Sequence, residues 1–369
     1  MKLKIPILLI LFLISQQLLG QEKYKPSFKD SLDGKFDMSD WVINANGFVP
    51  FPSLITEPAL GGFGGMMGLA FLTPVEGAPP NITAGLGGYT ANNSWFLGGI
   101  QTKNLTEKGL KLRYGIFYYH INISLYRDLP ILGEREYAFT FKSLPVFIEA
   151  TKKIGESNFS LGLNYRFSNT KASPHFDQLP ESIEREDFKG NISKVSPVMI
   201  YDTRDNVFSP NKGTMSRVMF SISNEFIFSD FNYTELEAGL YKYVPLNPHW
   251  VLGIRAEYQQ IFNDPPFYEL PGIDLRGVPA ARYQNNQIAL TELENRFDLN
   301  QRWSVMAFGG LAKAFDGFED FGDEKLVYNV GSGFRYLLAR KFGLRMGVDV
   351  AKGPDNWGYY IVFGSNWIR

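Results

Sequence analysis

The stretch LKLRYGIFYY, at residues 110–119, alternates in side-chain character. One parity is wholly apolar or aromatic, whereas the other contains Lys111, Arg113 and Gly115. Successive side chains of a β-strand point to opposite faces, so this stretch predicts a strand with one apolar face. The pattern returns at residues 252–259 and 342–350. Such strands build either a soluble sandwich, with the apolar face inward, or a membrane barrel, with that face toward lipid.

The number and spacing of the strands favour the barrel. Segments of about ten residues, near the length that a tilted strand needs to cross a bilayer, recur sixteen times. The connections after segments 5, 7, 11 and 13 are long and those after 4, 6, 10, 12 and 14 are short, as is typical of outer-membrane barrels. We therefore predict an all-β fold, a 16-stranded antiparallel transmembrane β-barrel of the outer membrane. The segments begin near residues 45, 61, 81, 94, 109, 138, 158, 194, 213, 232, 250, 286, 303, 327, 341 and 358.

The start of the chain predicts an export signal. Lys2 and Lys4 precede an apolar run at residues 5–13, and a cleavage point falls before Gln21. This run is shorter than the roughly 20 residues that a membrane-spanning helix needs. We therefore expect export to the bacterial outer membrane and three regions: a cleaved signal peptide at residues 1–20, a short periplasmic N-terminal tail at 21–41 and the transmembrane β-barrel at 42–369.

The composition excludes several classes of function. Lys and Arg number 37 against 38 Asp and Glu, so the near-neutral chain offers no basic surface for nucleic acid. With no cysteine and three scattered histidines, neither a thiolate site nor a histidine-built metal site is expected. No phosphate loop, dinucleotide fingerprint or nucleophile elbow is found. We expect no catalytic, cofactor-binding or metal site.

A charged turn follows the eighth segment. Residues 202–213 read DTRDNVFSPNKG, and by strand count this connection lies on the periplasmic side. Asp202 and Asp205 can accept hydrogen bonds from turn amides or from Arg204. Pro210 and Gly213 favour the chain reversal. Both a purely structural turn and a functional element are consistent with this pattern.

A second distinctive stretch, PGIDLRGV at residues 271–278, lies in the long connection after segment 11. The next segment carries Glu292, Glu294 and Arg296 on one parity. At these two stretches the chain resembles the barrel domain of the BamA/TamA superfamily of outer-membrane assembly and translocation proteins, the bacterial surface antigen family. Members have a similar Asp-x-Arg-Asp-x-x-x-x-Pro-x-x-Gly turn and an Arg-Gly pair at the tip of the sixth extracellular loop.

The resemblance implies that the sixth loop folds inward. Arg276, with Gly277 beside it, would pair with carboxylates of the following strands, Glu294 as first choice and Glu292 as second. A guanidinium among lumenal carboxylates would lock the loop inside the barrel. Gly309 and Gly310 stand where the family often has an aspartate, so a simpler lock is expected. Members that handle client proteins usually carry POTRA domains before the barrel, and this chain resembles the subgroup that lacks them.

Segments 1 and 16 would meet at the closing seam of the barrel. Segment 1 contains Gly47, Pro50 and Pro52, and a proline has no amide hydrogen for a ladder. Few ladder bonds are therefore expected to segment 16, which includes Phe363 and Trp367. This predicts a weak lateral seam that opens to release a strand into the bilayer. The alternative is that the prolines only mark the entrance of the strand.

Three functions remain open. The first is an assembly or translocation barrel that handles unfolded barrel clients, or other outer-membrane cargo, together with a separate periplasmic or outer-membrane partner. The second is a passive pore or structural barrel, and both would contact outer-membrane lipid. The third and least favoured is an outer-membrane hydrolase or acyltransferase, which requires a histidine or serine site near the outer rim. His120 is the one histidine placed in a strand. We favour the first, which is not an enzyme.

Overall fold

Sixteen strands form one antiparallel sheet in which every strand pairs with its neighbours in chain order, so the predicted barrel architecture is confirmed. The computed structural model describes residues 27–44, 48–76, 78–105, 109–129, 133–175 and 188–367. The strands are β1 Phe48–Ile55, β2 Gly64–Val75, β3 Ala78–Thr90, β4 Trp95–Leu105, β5 Leu110–Leu129, β6 Gly133–Lys153, β7 Phe159–Pro174, β8 Lys189–Asp202, β9 Gly213–Ser223, β10 Tyr233–Asn247, β11 Trp250–Asn263, β12 Gln287–Asp298, β13 Trp303–Phe315, β14 Val327–Ala339, β15 Leu344–Lys352 and β16 Trp357–Phe363.

The two faces of the sheet have opposite character. Outward residues such as Leu97, Leu163 and Val330 are exposed, whereas the charged Arg335 and Asp349 are buried inside. A soluble sandwich would show the reverse, so the sheet encloses a polar lumen and presents its apolar face to lipid. Among the described residues, no helix is long and apolar enough to span a membrane.

The strand register shows which residues of each strand face the lumen. Residues that lie opposite each other in a ladder share a face of the sheet. Asp349 lies opposite Gly333, and the same parity continues strand by strand to Glu149, which lies opposite Arg113. It ends with Phe51 on β1, opposite Gly68. All these positions therefore face the lumen.

The hairpin of β5 and β6 differs from the expectation of a long connection. The two strands stay paired as far as Leu129 and Gly133. Toward its tip, this extended hairpin gains an apolar partner, because Leu125 and Phe139 pack against Phe267 from a different connection. That connection, residues 264–286 between β11 and β12, is called loop 6 below.

The C-terminal end also differs from the expectation. β16 stops at Phe363, because Gly364 has a positive φ of 77° and turns the chain away from the sheet. Trp367 then lies inside the barrel with 2% of its surface exposed. Its assignment to the seam is therefore corrected, whereas Phe363 stays at the seam.

A short segment precedes the barrel. Lys29 and Phe36 form an isolated β-bridge, and helix α1 follows at Ser39–Asn44. The boundary expected between residues 41 and 42 falls inside this helix. The signal peptide and Gly47 lie outside the described residues, so both stay predictions.

Candidate lumenal loop site

Loop 6 places Arg276 among carboxylates inside the barrel. Arg276 is 4% exposed, and it donates to Oε1 of Glu292 from Nε at 3.2 Å and from Nη2 at 2.9 Å. Its Nη1 donates to Oδ2 of Asp349 at 2.7 Å and lies 2.9 Å from Oε2 of Glu294. The guanidinium carbon lies 3.4 Å from the centre of the Phe308 ring. One cation therefore meets three acids and an aromatic face.

The partners differ in part from those expected. Of the two expected glutamates, Glu292, the second choice, accepts two hydrogen bonds from Arg276, and Glu294 contributes its charge at ion-pair distance. Asp349 on β15 was not anticipated, so the site has an additional acid instead of a simpler arrangement. A signal for it existed, because Asp349 lies on the polar parity of the alternating stretch 342–350.

Two glycines make room for loop 6. Gly277 has a φ of +82°, and a Cβ there would lie 2.8 Å from the backbone nitrogen of Gly353. On β13, a Cβ on Gly310 would lie 2.9 Å from the side chain of Leu275. The glycine at position 310 therefore lets the loop approach the wall closely.

The acids that hold Arg276 have further partners. Arg335 donates to both oxygens of Asp349 at 2.6 and 2.8 Å, which fixes that carboxylate on β15. Trp367 Nε1 donates to Oε2 of Glu292 at 2.6 Å. Arg255 lies 3.5 Å from the same oxygen. The buried charges are therefore paired in a connected network, as burial requires.

Apolar side chains anchor the tip of loop 6 beside this network. Ile273, Leu275 and Val278 are each 3% exposed, and they pack with buried apolar residues of β12, β13 and β14. Three aliphatic side chains removed from water contribute on the order of 1.5–3 kcal/mol each. The loop is therefore held by burial as well as by charge.

The other end of loop 6 reaches the opposite wall. Phe267 packs on Phe139 with ring centroids 5.0 Å apart. Glu269 accepts a hydrogen bond from Lys194 Nζ at 2.7 Å, and the same ammonium donates to Glu235 at 3.0 Å. The loop thus bridges the lumen from β12–β15 to β5–β8.

The charged turn 203–212 is closed by its own side chains. Arg204 donates to both oxygens of Asp202, from Nε at 2.9 Å and Nη2 at 2.7 Å. Oδ1 of Asp205 accepts from the amide nitrogen of Asn211 at 2.9 Å. Gly213 has a φ of +106°, and a Cβ there would come within 2.3 Å of the carbonyl oxygen of Thr203.

The same turn also contacts distant strands. The carbonyl of Pro210 accepts from Arg296 Nη1 on β12 at 3.3 Å. Asn206 Nδ2 donates to the carbonyl of Phe342, between β14 and β15, at 2.9 Å. The amide of Ser365 donates to the carbonyl of Phe208 at 2.6 Å. The turn therefore does more than reverse the chain, because it joins strands from across the barrel to the C-terminal residues.

The seam lies between β1 and β16. Within the described part of the chain, hydrogen-bonded neighbours run from β1 to β16, and no ladder joins those two strands to each other. Pro50 and Pro52 lie opposite Leu69 and Met67 in an unbroken β1–β2 register. Because proline cannot donate, both nitrogens must point away from β2, toward β16. The edge of β1 therefore lacks two donors at the seam.

Among the residues that the structure describes, one aromatic contact crosses this seam. The rings of Phe51 and Phe363 meet edge to face with centroids 6.4 Å apart. Such a pair contributes about 0.5–1.5 kcal/mol beyond its burial, far less than a full ladder of backbone hydrogen bonds. The two strands are therefore held only weakly together.

An ion cluster that sequence reasoning missed holds the N-terminal segment to the barrel. Arg302, between β12 and β13, donates to Asp33 at 2.6 and 2.9 Å, to Asp37 at 2.6 Å and to Asp30. Arg340, between β14 and β15, also donates to Asp30, at 2.9 Å to Oδ1. The hydrogen bond from Arg340 holds the pKa of Asp30 below its ordinary value, and that from Arg302 does so for Asp33.

A signal for this cluster was visible, since three aspartates recur within the acidic stretch 30–37 of the tail. Their common partner, Arg302, could not be recognised from the sequence, because it lies 265 or more residues further along the chain. The tail consequently lies against the same barrel end as the short connections.

Space remains in the lumen beside loop 6. A cavity of about 370 Å³ is lined by charged side chains that include Arg113, Arg166, Arg217 and Glu149. Among the described residues, no group of three or more acids and histidines is placed to hold a metal ion. His120 stacks on Trp95 with ring centroids 6.1 Å apart, on the outward face of the wall.

Comparisons with known proteins agree with this architecture. A family model for the Omp85 superfamily domain matches residues 82–270, just over half of the chain. Among solved structures, BamA from Haemophilus ducreyi lacking POTRA domains 1–3 has a TM-score of 0.61 and 15% identity, over 86% of this chain and 70% of that one.

Two further similar structures are of CdiB. The Escherichia coli protein has a TM-score of 0.61 and 9% identity, over 85% of this chain and 61% of its own. The Acinetobacter baumannii protein has a TM-score of 0.60 and 10% identity, over 86% and 59%. This chain thus spans about three fifths of the CdiB chains, and at these identities the likeness is one of fold. No curated protein matches the sequence.

Proposed function

The chain belongs to the Omp85 superfamily of outer-membrane barrels, and from that membership we propose that it assists the insertion or translocation of proteins, or other outer-membrane cargo, through the β1/β16 seam. The observation that carries this proposal is the seam itself. Every other neighbouring pair of strands forms a ladder, whereas β1 presents two prolines to β16. An unpaired edge is a template for an incoming strand.

Loop 6 has a supporting role in this proposal. Its contacts with β12–β15 and with β5–β8 brace the lumen while the seam opens. Arg276, Gly277, Glu292 and Glu294 form the lock that keeps the loop in place. We propose no chemical step for this protein, because strand exchange needs only hydrogen-bond pairing.

The clients in this proposal are unfolded outer-membrane barrels, delivered by a separate periplasmic or outer-membrane partner. The turn that contains Asp202 and Arg204 would lie at the periplasmic mouth, where it joins the C-terminal residues to the rest of the barrel. A client that enters there would meet the end of β16 before the seam.

A reversible cross-link tests the seam. The chain has no cysteine, so Phe51→Cys with Phe363→Cys gives a unique pair across the seam. Leu69→Cys with Gly85→Cys is the matched control, since these residues lie opposite each other in the paired β2–β3 ladder. Both pairs would be joined by a bis-maleimide with a reducible spacer.

The assay follows a urea-unfolded eight-stranded barrel as it folds into liposomes that contain each variant. We expect uncross-linked protein to accelerate folding, the seam cross-link to abolish the acceleration, reductant to restore it and the control cross-link to leave it unchanged. Acceleration that survives the seam cross-link would refute the route. An absence of acceleration by wild-type protein would refute the function and favour a passive pore.

A further inference from the structure

The strands on both sides of the seam are unusual in having no charge. β16, β1, β2 and β3 are consecutive around the wall and contain no Asp, Glu, Lys, Arg or His, whereas each strand from β4 to β15 has at least one charged residue. The lumen of a transmembrane barrel is normally polar, so an uncharged inner face needs a physical explanation.

Phenylalanine rings lie on the inner face at β1 and, on the other side of β2 and β3, at β4, β5 and β6. Each ring lies flat against a glycine of the neighbouring strand, so that a Cβ on the glycine would come within 2.0 to 2.6 Å of the ring. The pairs are Phe51 with Gly68, Phe96 with Gly88, Phe117 with Gly98 and Phe147 with Gly115. The glycines let the rings lie along the wall and form a smooth apolar surface, of which part stays open to the lumen.

Other inward positions between these rings are mostly aliphatic. They include Val49, Ala70, Leu86 and Ile100, which share the inward parity of Phe51. We call the inward-facing residues of β1 to β4 the apolar inner wall. Water in contact with such a surface is unfavourable, in proportion to the apolar area exposed.

Loop 6 is buried elsewhere. Its apolar residues pack on β12–β14 at one end and on β5–β7 at the other. Phe51 and Leu86 on the inner wall stay only partly buried. An apolar occupant from outside the chain would remove this surface from water.

The bilayer is continuous with the inner wall around the edge of β1. Leu54, Met67 and Leu69 are 48%, 52% and 43% exposed on the outward, apolar face that the barrel presents to lipid. Across β1, the free edge toward β16 is bordered by phenylalanines and by two prolines without amide hydrogens. An acyl chain can therefore pass from the outer surface to the inner wall without meeting a charged side chain of these strands.

We propose that the apolar inner wall binds acyl chains of membrane lipid, which enter the lumen through the β1/β16 seam. The inference depends on the unpaired seam and not on any insertion activity, so either proposal can fail while the other stands. It assigns the β1–β4 side of the lumen to lipid and leaves the charged β5–β15 side to water.

Single cysteines test this assignment in the full-length chain. Leu86→Cys places a label on the inner wall, and Leu97→Cys places one on the lipid-facing surface, where the side chain is 65% exposed. Gln259→Cys is the matched lumenal control, because it faces inward from β11 and borders a charged cavity. Each variant would carry a bimane fluorophore in phosphatidylcholine vesicles with or without bromine on the acyl chains.

We expect brominated chains to quench the label at residue 86 at least about threefold more than that at 259, and nearly as strongly as that at 97. Aqueous iodide should show the reverse order. Quenching at 86 equal to that at 259 would overturn the proposal. Both labels face the lumen, so lipid outside the barrel wall quenches both of them and does not account for a difference. Adding Ile100→Glu beside the label, in protein that still migrates as a folded barrel, should abolish the lipid quenching; persistence would equally count against the site.

Discussion

The indole of Trp367 and the guanidinium of Arg276 donate to the two oxygens of one carboxylate, that of Glu292. Glu292 is 1% exposed, so neither donor can be replaced by bulk water without rearrangement. Trp367 follows β16 at the seam, and Arg276 is the tip of loop 6. The end of the seam strand and the loop are therefore coupled through a single acid.

Removal of the indole hydrogen bond should weaken this coupling while an aromatic ring stays in the same position. Trp367→Phe keeps an aromatic ring near Tyr243 but removes the hydrogen bond that the indole donates to Oε2 of Glu292. We expect a loss of about 1–2 kcal/mol in stability, seen as a lower temperature for the gel-mobility shift of the folded barrel. Trp357→Phe, at a 57% exposed outward position of β16, should change that temperature little. Equal shifts in the two variants would show that the indole bond is unimportant.

Loss of the Arg276 guanidinium should release loop 6. Arg276→Ala leaves Glu292 and Asp349 without their shared cation, a defect worth about 3–5 kcal/mol for a buried pair. We expect planar-bilayer conductance to change from small and flickering to larger and steadier. Arg276→Lys should be intermediate, because an ammonium cannot reproduce the planar fork.

The control for this experiment lies in the same loop. Arg282 is at the rim, where its ion pair with Asp355 is partly exposed, and Arg282→Ala should leave the conductance near that of the wild type. A large, steady wild-type conductance that Arg276→Ala does not alter would contradict the lock and favour the passive pore.

The backbone conformation of Gly277 gives an independent test of the loop position. Gly277→Ala must adopt a φ of +82° and place its Cβ 2.8 Å from the nitrogen of Gly353. Gly62 has a similar φ of +73° with open space around it, so Gly62→Ala measures the conformational strain alone. We expect about 1 kcal/mol for Gly62→Ala and a clearly larger loss for Gly277→Ala in thermal unfolding. Losses of the same size would mean that loop 6 does not approach Gly353.

Strand number and face were predictable because hydropathy alternation is local. The polar parity that contains Arg113 in β5 and the one that contains Asp349 in β15 could each be read from ten residues. The length of β5 could not be predicted in this way, because its last residues depend on Phe267, which lies far away in sequence. The strand end at Phe363 was missed for a related reason, since Trp367 leaves the sheet for a lumenal acid on β12.

The choice among partners was equally beyond local patterns. Glu292 and Glu294 share a parity, and only the height of loop 6 in the lumen decides which of them accepts hydrogen bonds from Arg276. Arg302 was missed as the centre of an ion cluster because its partners, the three aspartates of the tail, lie far from it in sequence. Contacts across hundreds of residues follow from barrel closure.

The N-terminal ion cluster should make attachment of the tail sensitive to acid. The pKa values of Asp30 and Asp33 are held below the ordinary value by hydrogen bonds from Arg340 and Arg302, respectively. For Asp37, burial opposes ionisation, but hydrogen bonds from Arg302 and Ser39 prevail and lower its pKa. A lowered carboxyl pKa stabilises the folded state above the ordinary value of 3.8 and loses this effect as the pH falls through the folded value.

A nitroxide on Leu32→Cys, a position that is 75% exposed, would report the mobility of the tail. We expect the label to stay ordered from pH 7 to about 4 and to become mobile only below about pH 3, because all three acids must then take up protons. Asp33→Asn removes one of the acceptors of Arg302 and should move this transition to higher pH. Release of the tail near pH 6 would contradict an aspartate clamp, because no group in the cluster titrates there.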